Sequence, residues 1–133
     1  MIKRTWPTER ESNTGSTCIQ EKDRECQLVD FVGQDGRCHS FPLAQLVRGL
    51  LERNPASTDQ TTAPPDRLTL VFSMQDVVIL GWNLQGIRDA LDLSRPMVVR
   101  TRDGRYAKLE DRQPFVSAIS VRMGEQPPPG TLL

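Results

Sequence analysis

The segment with the clearest capacity for chemistry is residues 95–112, which carry six basic side chains against three acidic ones. A guanidinium group grips a phosphate or a carboxylate through parallel hydrogen bonds, and an aromatic ring stacks on a nucleic-acid base. The residues of this segment that would bind in these ways are Arg100, Arg102, Arg105, Tyr106 and Lys108. The segment therefore indicates a contact surface for nucleic acid or for an acidic protein partner. The alternative is a solvated hairpin with local ion pairs.

The single histidine, His39, directly follows Cys38, and the other cysteines are Cys18 and Cys26. Neighbouring residues of a strand point to opposite faces, so Cys38 and His39 should not meet at one centre. Seven and eleven residues separate the successive cysteines, whereas zinc sites favour closely spaced pairs. We therefore expect a buried Cys38, an exposed His39, and neither a bound metal nor a cofactor.

Recognisable catalytic motifs are missing from the sequence. Residues 81–86 have the G-x-x-x-x-G outline of a phosphate-binding loop, but Ile87 and Arg88 stand where that loop needs Lys and Ser or Thr. The G-x-S-x-G pattern of many serine hydrolases does not occur. The sequence therefore favours a protein without catalytic activity.

Composition narrows the range of partners and compartments. The chain has 133 residues and a formal net charge of zero, from 17 basic and 17 acidic side chains. This balance argues against a wholly basic nucleic-acid binder. There is no signal-like apolar run near the start and no apolar stretch long enough to span a membrane. Together with three irregularly spaced cysteines, these features predict a cytoplasmic protein that does not bind membranes.

The elements around these residues are organised by the stretch 67–93. Residues 67–73 and 76–81 are rich in β-branched and aromatic side chains and predict a hairpin. A four-residue turn at 73–76 would place Phe72 opposite Val77 and Leu70 opposite Ile79. The predicted inner face of this hairpin consists of Leu68, Leu70, Phe72, Val77 and Ile79. The other face consists of Thr69, Val71, Val78 and Leu80, which is apolar enough to need cover.

Two amphipathic helices are predicted. The second would begin at Asn83, whose side chain suits the N-cap, and would bury Leu84, Ile87 and Leu91 along one stripe. The first would span residues 42–53, where apolar side chains recur at helical spacing. These side chains are Leu43, Leu46, Val47, Leu50 and Leu51.

Further strands complete the predicted fold. Residues 26–32 and 37–41 form a hairpin around Asp35-Gly36, residues 97–102 and 105–109 form another around Asp103-Gly104, and residues 114–123 form the last strand. We predict an α+β domain at residues 25–123, an antiparallel sheet in ββαββαβββ order with both helices on one face. Residues 1–24 are predicted to be a disordered arm and residues 124–133 a disordered Pro-rich tail.

This arrangement leads to a functional expectation. Helices on one face would leave the other face of the sheet bare, so we expect a second subunit to cover it and the protein to be a homo-oligomer. The function predicted first is a non-catalytic binding or regulatory module that acts through protein contacts. The alternative is a nucleic-acid-binding module that uses the hairpin at residues 95–112.

Overall fold

A computed structural model describes residues 18–58, 62–103 and 112–123 of the chain. Within these ranges the fold is mostly β, with 52% of residues in strands and 12% in helices. In chain order the elements are β1 (Ile19–Glu21), β2 (Leu28–Val32), β3 (Cys38–Pro42), a 3-10 turn (Leu43–Gln45), β4 (Leu46–Arg53), β5 (Asp66–Phe72), β6 (Gln75–Trp82), α1 (Gln85–Asp92), β7 (Met97–Arg100) and β8 (Phe115–Met123). No helix in these ranges is long and apolar enough to cross a membrane.

The described strands form two four-stranded sheets instead of the single sheet that the sequence predicts. The first, here called the mixed sheet, has the order β1-β7-β2-β3. β7 lies between β1 and β2 and pairs antiparallel with the former and parallel with the latter. The hairpin β2–β3 is confirmed. The predicted strand at residues 105–109 lies outside the described residues.

The second sheet, here called the antiparallel sheet, has the order β4-β5-β6-β8. The predicted hairpin β5–β6 is confirmed, but Leu70 pairs with Val77 and not with Ile79. The turn has the predicted length but lies one residue earlier in the chain, which shifts the pairing register by two residues. Since side chains alternate with a period of two, this shift leaves every side chain on its predicted face. The five residues of the predicted inner face are all buried.

The predicted ββαββαβββ order with two helices is wrong, because residues 46–53 form a strand. β4 pairs along its length with β5. Its inward side chains include Leu46 and Leu51, which pack against the core, whereas Leu50 points outward. Gly49 disfavours a helix, and its missing side chain admits Leu70, since an added Cβ would lie 3.3 Å from Leu70 Cδ2. The apolar residues from 43 to 51 fit helical spacing by coincidence.

The predicted second helix is present as α1, with a different start. Ile87 and Leu91 are buried, as the stripe predicts. Asn83 is not the N-cap, because it adopts a positive φ of 56° and its Nδ2 donates to the Gln113 carbonyl at 3.2 Å. The Leu84 N–H instead donates to Asp66 Oδ2 at 3.2 Å. A carboxylate at the start of β5 therefore satisfies an amide that the helix itself leaves unpaired.

Aromatic side chains join the two sheets across the core. Phe31 of β2 and Phe41 of β3 meet edge to face, with ring centroids 5.8 Å apart. Phe72 of β5 stacks on Phe41 at 4.5 Å. Such contacts add to the free energy gained by burying the rings, so this cluster fixes how the antiparallel sheet lies against the mixed sheet.

Cys18 forms a second connection between the sheets. The pairing of β6 with β8 is irregular next to Gly81, where an added Cβ would lie 2.0 Å from the Phe115 carbonyl oxygen. Val116 in this irregularity donates its N–H to Cys18 Sγ at 3.3 Å, and its carbonyl accepts from Arg102 N at 2.9 Å. Cys18 is fully buried. The ordered structure thus begins ahead of residue 25, within the predicted arm, and residues 1–17 and 124–133 lie outside the described residues.

Candidate protein-interaction surface

The structure describes two of the five residues predicted to bind a ligand. Arg100 ends β7 and is exposed on the side of the mixed sheet away from the core, since its neighbour Val99 is buried. Arg102 is half-buried, with its guanidinium carbon 5.9 Å from the centroid of the Phe115 ring. The two arginines therefore lie in different surroundings. The other three, Arg105, Tyr106 and Lys108, lie outside the described residues.

The cysteines and the histidine do not form a reactive centre in the described chain. Cys38 and His39 are both exposed on β3, so the prediction of a buried Cys38 is wrong. All three cysteines are free thiols. Among residues 18–58, 62–103 and 112–123, no three side chains of the types that bind metals come together.

The most distinctive surface is the side of the antiparallel sheet that faces away from the core, here called the outer face. It consists of Arg48, Leu50, Glu52, Arg67, Thr69, Val71, Asp76, Val78, Leu80, Ala118, Ser120 and Arg122. A depression of about 180 Å³ in this face is lined by side chains of the sheet alone. The outer face is therefore not covered by any element in the described part of the chain, and α1 lies on the opposite side, beside Gly49.

Strand pairing divides the outer face into three rows that run across the strands. The first row consists of Arg48, Val71, Asp76 and Arg122. The middle row consists of Leu50, Thr69, Val78 and Ser120. The third row consists of Glu52, Arg67, Leu80 and Ala118. Charged side chains thus occupy the first and third rows, and the middle row carries none.

Leu50 is the most exposed apolar residue of the outer face, with 45% of its surface accessible to solvent. Thr69 is almost buried by its neighbours on the adjoining strands, and Val71, Val78 and Leu80 are half-buried. The outer face thus has an uncharged middle row, with Leu50 and Val78 as its apolar members, between two rows that carry charges. Uncharged residues flanked by charged ones are typical of a protein–protein interface.

An ion pair in the third row uses only one oxygen of its carboxylate. Arg67 donates to Glu52 Oε2 from both Nε, at 3.1 Å, and a terminal nitrogen of the guanidinium. Glu52 Oε1 accepts no hydrogen bond from the described residues. This oxygen is thus available to a cation that approaches from outside the chain.

The charges of the first row are paired less completely. The Asp76 side chain is only 7% exposed, and its ion pair is a long contact of 3.9 Å to Arg122 Nε. Arg48 is exposed and forms no ion pair within the described part of the chain. The first row therefore offers a free guanidinium, and the third row offers a free carboxylate oxygen.

The outward side of the mixed sheet, here called the mixed-sheet face, contains a carboxylate that is paired within the chain. Asp30 of β2 accepts from Lys22 Nζ at 2.9 Å and from Ser40 Oγ at 2.6 Å. Burial raises the pKa of Asp30, but the hydrogen bonds from Ser40 and Lys22 and the positive charge of Lys22 outweigh it, so this pKa lies below its usual value. Burial lowers the pKa of Lys22, and interactions with Asp30 and Cys26 reverse this shift, so its pKa is raised.

The sequence interpretation assigned β4 to a helix and therefore missed Arg48, Leu50 and Glu52 as members of one surface. These three residues occur at every second position, as one face of a strand requires, but no alternation of residue types marks them, because Leu50 on the outer face and Leu51 on the inner face are both leucines. The other members of the surface in β5 and β6, Thr69, Val71, Val78 and Leu80, were predicted correctly to share one face.

Comparison of the chain with protein-family models, with curated proteins and with solved structures gives no match. The inferences about its function therefore depend on the two outward faces alone.

Proposed function

We propose that this chain is a non-catalytic binding module that acts through protein contacts and self-associates through the outer face. The observation that supports the proposal is the uncharged middle row with its exposed Leu50, which no described element covers. Monomeric proteins seldom leave a wide apolar surface open to water. The three free cysteines support a reducing compartment such as the cytoplasm.

The dimensions of the outer face set the expected affinity. The three rows together cover about 14 Å in the strand direction, and the four strands cover about 14 Å in the perpendicular direction. When the length of the side chains at its edges is included, the area of the outer face is on the order of 400 Å², well below the ~800 Å² per partner of a standard interface. We therefore expect weak association that is visible only in the micromolar range or above.

Sedimentation velocity at protein concentrations from about 5 to 500 µM tests the proposal, because this range brackets the affinity expected for a small interface. The native chain should shift from monomer to oligomer as its concentration rises. Leu50→Glu should remain monomeric, because the substitution places a charge at the most exposed apolar position of the contact.

The matched control is Leu28→Glu on the mixed-sheet face. Leu28 is also a strand leucine directed outward, and it is 38% exposed. This variant should associate as the native chain does. A monomeric mass of the native chain at every concentration, or equal behaviour of Leu50→Glu and the native chain, would contradict the proposal.

Binding of nucleic acid is the second candidate function. The observation in its favour is the exposed guanidinium of Arg100, which precedes Asp103 and the rest of the arginine-rich segment. The half-buried position of Arg102 favours a structural role for that residue. Binding of nucleic-acid probes at low salt, and its loss in Arg100→Ala, separates the two functions.

A further inference from the structure

We infer that the occupant of the outer face is a second copy of this chain, related to the first by a two-fold axis that runs across the strands through the middle row. This inference rests on the proposed function and specifies the partner and its orientation. The evidence for it is the placement of the charges in the first and third rows.

Symmetry leaves two principal ways to stack this sheet on a copy of itself with strands roughly aligned. If the two-fold axis runs along the strands, each row faces the same row of the partner, and β4 faces β8. If the axis runs across the strands, the first row faces the third, and each strand faces its own copy. The two arrangements bring different side chains together.

The axis across the strands places unlike charges opposite each other. Arg48 of each copy faces Glu52 of the other, so the contact forms twice. Both side chains can form a further ionic contact, since Arg48 forms no ion pair and Glu52 Oε1 accepts no hydrogen bond in the described residues. Leu50 meets Leu50 of the second copy on the axis, at the β4 edge of the interface, which buries two exposed leucines together.

The axis along the strands places like charges opposite each other. Arg48 in the first row of β4 would face Arg122 in the first row of β8. Leu50 would face Ser120, so its apolar surface would meet a polar group. Juxtaposed like charges strongly disfavour an interface. The geometry therefore selects the axis across the strands.

The test is complementary mixing of two Leu50 variants, followed by sedimentation velocity. Leu50→Glu alone and Leu50→Lys alone should each associate about a hundredfold more weakly than the native chain, because each would place two like charges together at the axis. An equimolar mixture should regain association, because Glu then faces Lys. The mixture of Leu28→Glu with Leu28→Lys is the control, and each of these variants should associate like the native chain.

A second pair tests the same axis at another position and guards against misfolding of the first pair. Arg48→Glu should weaken association, because it would face Glu52 of the second copy. Mixing it with Glu52→Arg should restore association, because both contacts in the mixed dimer join unlike charges. With the axis along the strands, Arg48→Glu would instead strengthen association, since it would then face Arg122. Thermal melting of each variant checks that it is folded.

The outcomes separate this inference from the proposed function. Recovery of association in both mixtures supports the two-fold axis across the strands. A native chain that associates, with Leu50 variants that remain monomeric even when mixed, overturns the axis and leaves the proposed function standing. Leu50 variants that associate like the native chain, or a native chain that is monomeric throughout, overturn both.

Discussion

The two outward faces of this protein differ in how their charges are paired. On the mixed-sheet face, the Asp30 carboxylate has both oxygens engaged, one by Lys22 and one by Ser40, and the side chains of Asp30 and Lys22 are largely buried. On the outer face, Glu52 uses one oxygen and Arg48 has no ionic partner among the described residues. Within the described residues the Asp30 carboxylate is thus fully paired, whereas Arg48 and one oxygen of Glu52 are not.

This difference shows that exposed leucines on two sheets are not equivalent. Leu28 lies on the mixed-sheet face close to Asp30, whose carboxylate is already paired within the chain. Leu50 lies between a guanidinium and a carboxylate oxygen that have no partner among the described residues. A surface for association therefore requires polar groups that the chain leaves unsatisfied, in addition to apolar area.

Among the substitutions that compare the two sheets, Gly81→Ala in the antiparallel sheet is expected to have the largest effect on the free energy of unfolding. An added Cβ would lie 2.0 Å from the Phe115 carbonyl oxygen and 3.0 Å from its carbon, which are backbone atoms of β8. The edge of the antiparallel sheet would have to shift, so we expect a loss of about 3 kcal/mol or more in the free energy of unfolding. Urea titration measures this loss.

The control for this change is Gly33→Ala, next to the β2–β3 turn of the mixed sheet. Its added Cβ would lie 3.3 Å from the end of the Asp35 side chain, which can move. This variant should lose no more than about 0.5 kcal/mol, as surface substitutions usually do. If Gly81→Ala loses as little free energy of unfolding as Gly33→Ala, the β6–β8 pairing adapts to the added methyl group, and the outer face is not rigid.

Local patterns in the sequence were sufficient for the elements whose partners lie close along the chain. The hairpins β2–β3 and β5–β6 have turn residues between alternating apolar residues, and α1 has a buried stripe at helical spacing. Each of these signals depends on residues a few positions apart. The two hairpins and α1 were therefore predicted correctly because interactions between residues close in sequence determine them.

The contacts between distant segments could not be predicted in this way. β7 lies between β1 and β2 because of pairings with segments far away in sequence, and nothing in residues 97–100 specifies them. Cys18 is buried because its sulfur fills an irregularity in β8. For β4, the residue types fit a helix as well as a strand, and pairing with β5 decides between them. For that reason the sequence did not predict that Arg48 and Glu52 lie in the first and third rows of the outer face.

An intermediate effect is expected from Asp30→Asn on the mixed-sheet face. The change removes the negative charge that Lys22 and Ser40 bind, so we expect a loss of about 1–2 kcal/mol in the free energy of unfolding near neutral pH. The control is Asp35→Asn, which affects an exposed ion pair with Arg37 at 3.5 Å and should cost about 0.5 kcal/mol or less. Self-association should be unchanged in both variants, because neither residue belongs to the outer face.

The pH dependence of this loss follows from the lowered pKa of Asp30. The folded state holds the carboxylate below its ordinary pKa of 3.8, so its contribution is present above that pH and disappears as the pH falls through the lower folded value. Urea titrations of the native chain and Asp30→Asn should therefore converge below about pH 3.8. A constant difference down to the lowest pH at which the chain folds would show that the charge does not stabilise this face.

The smallest effect is expected from Arg100→Ala. If the arginine-rich segment binds nucleic acid, affinity must fall steeply as salt rises, and removal of one phosphate contact should flatten that dependence by about one ion. The zero net charge and the half-buried setting of Arg102 lead us to expect no binding by the native chain. Fluorescence anisotropy with single- and double-stranded probes at low salt measures this directly. Tight, salt-sensitive binding that Arg100→Ala weakens would place the functional surface on the mixed-sheet face and would reverse the contrast between the two faces.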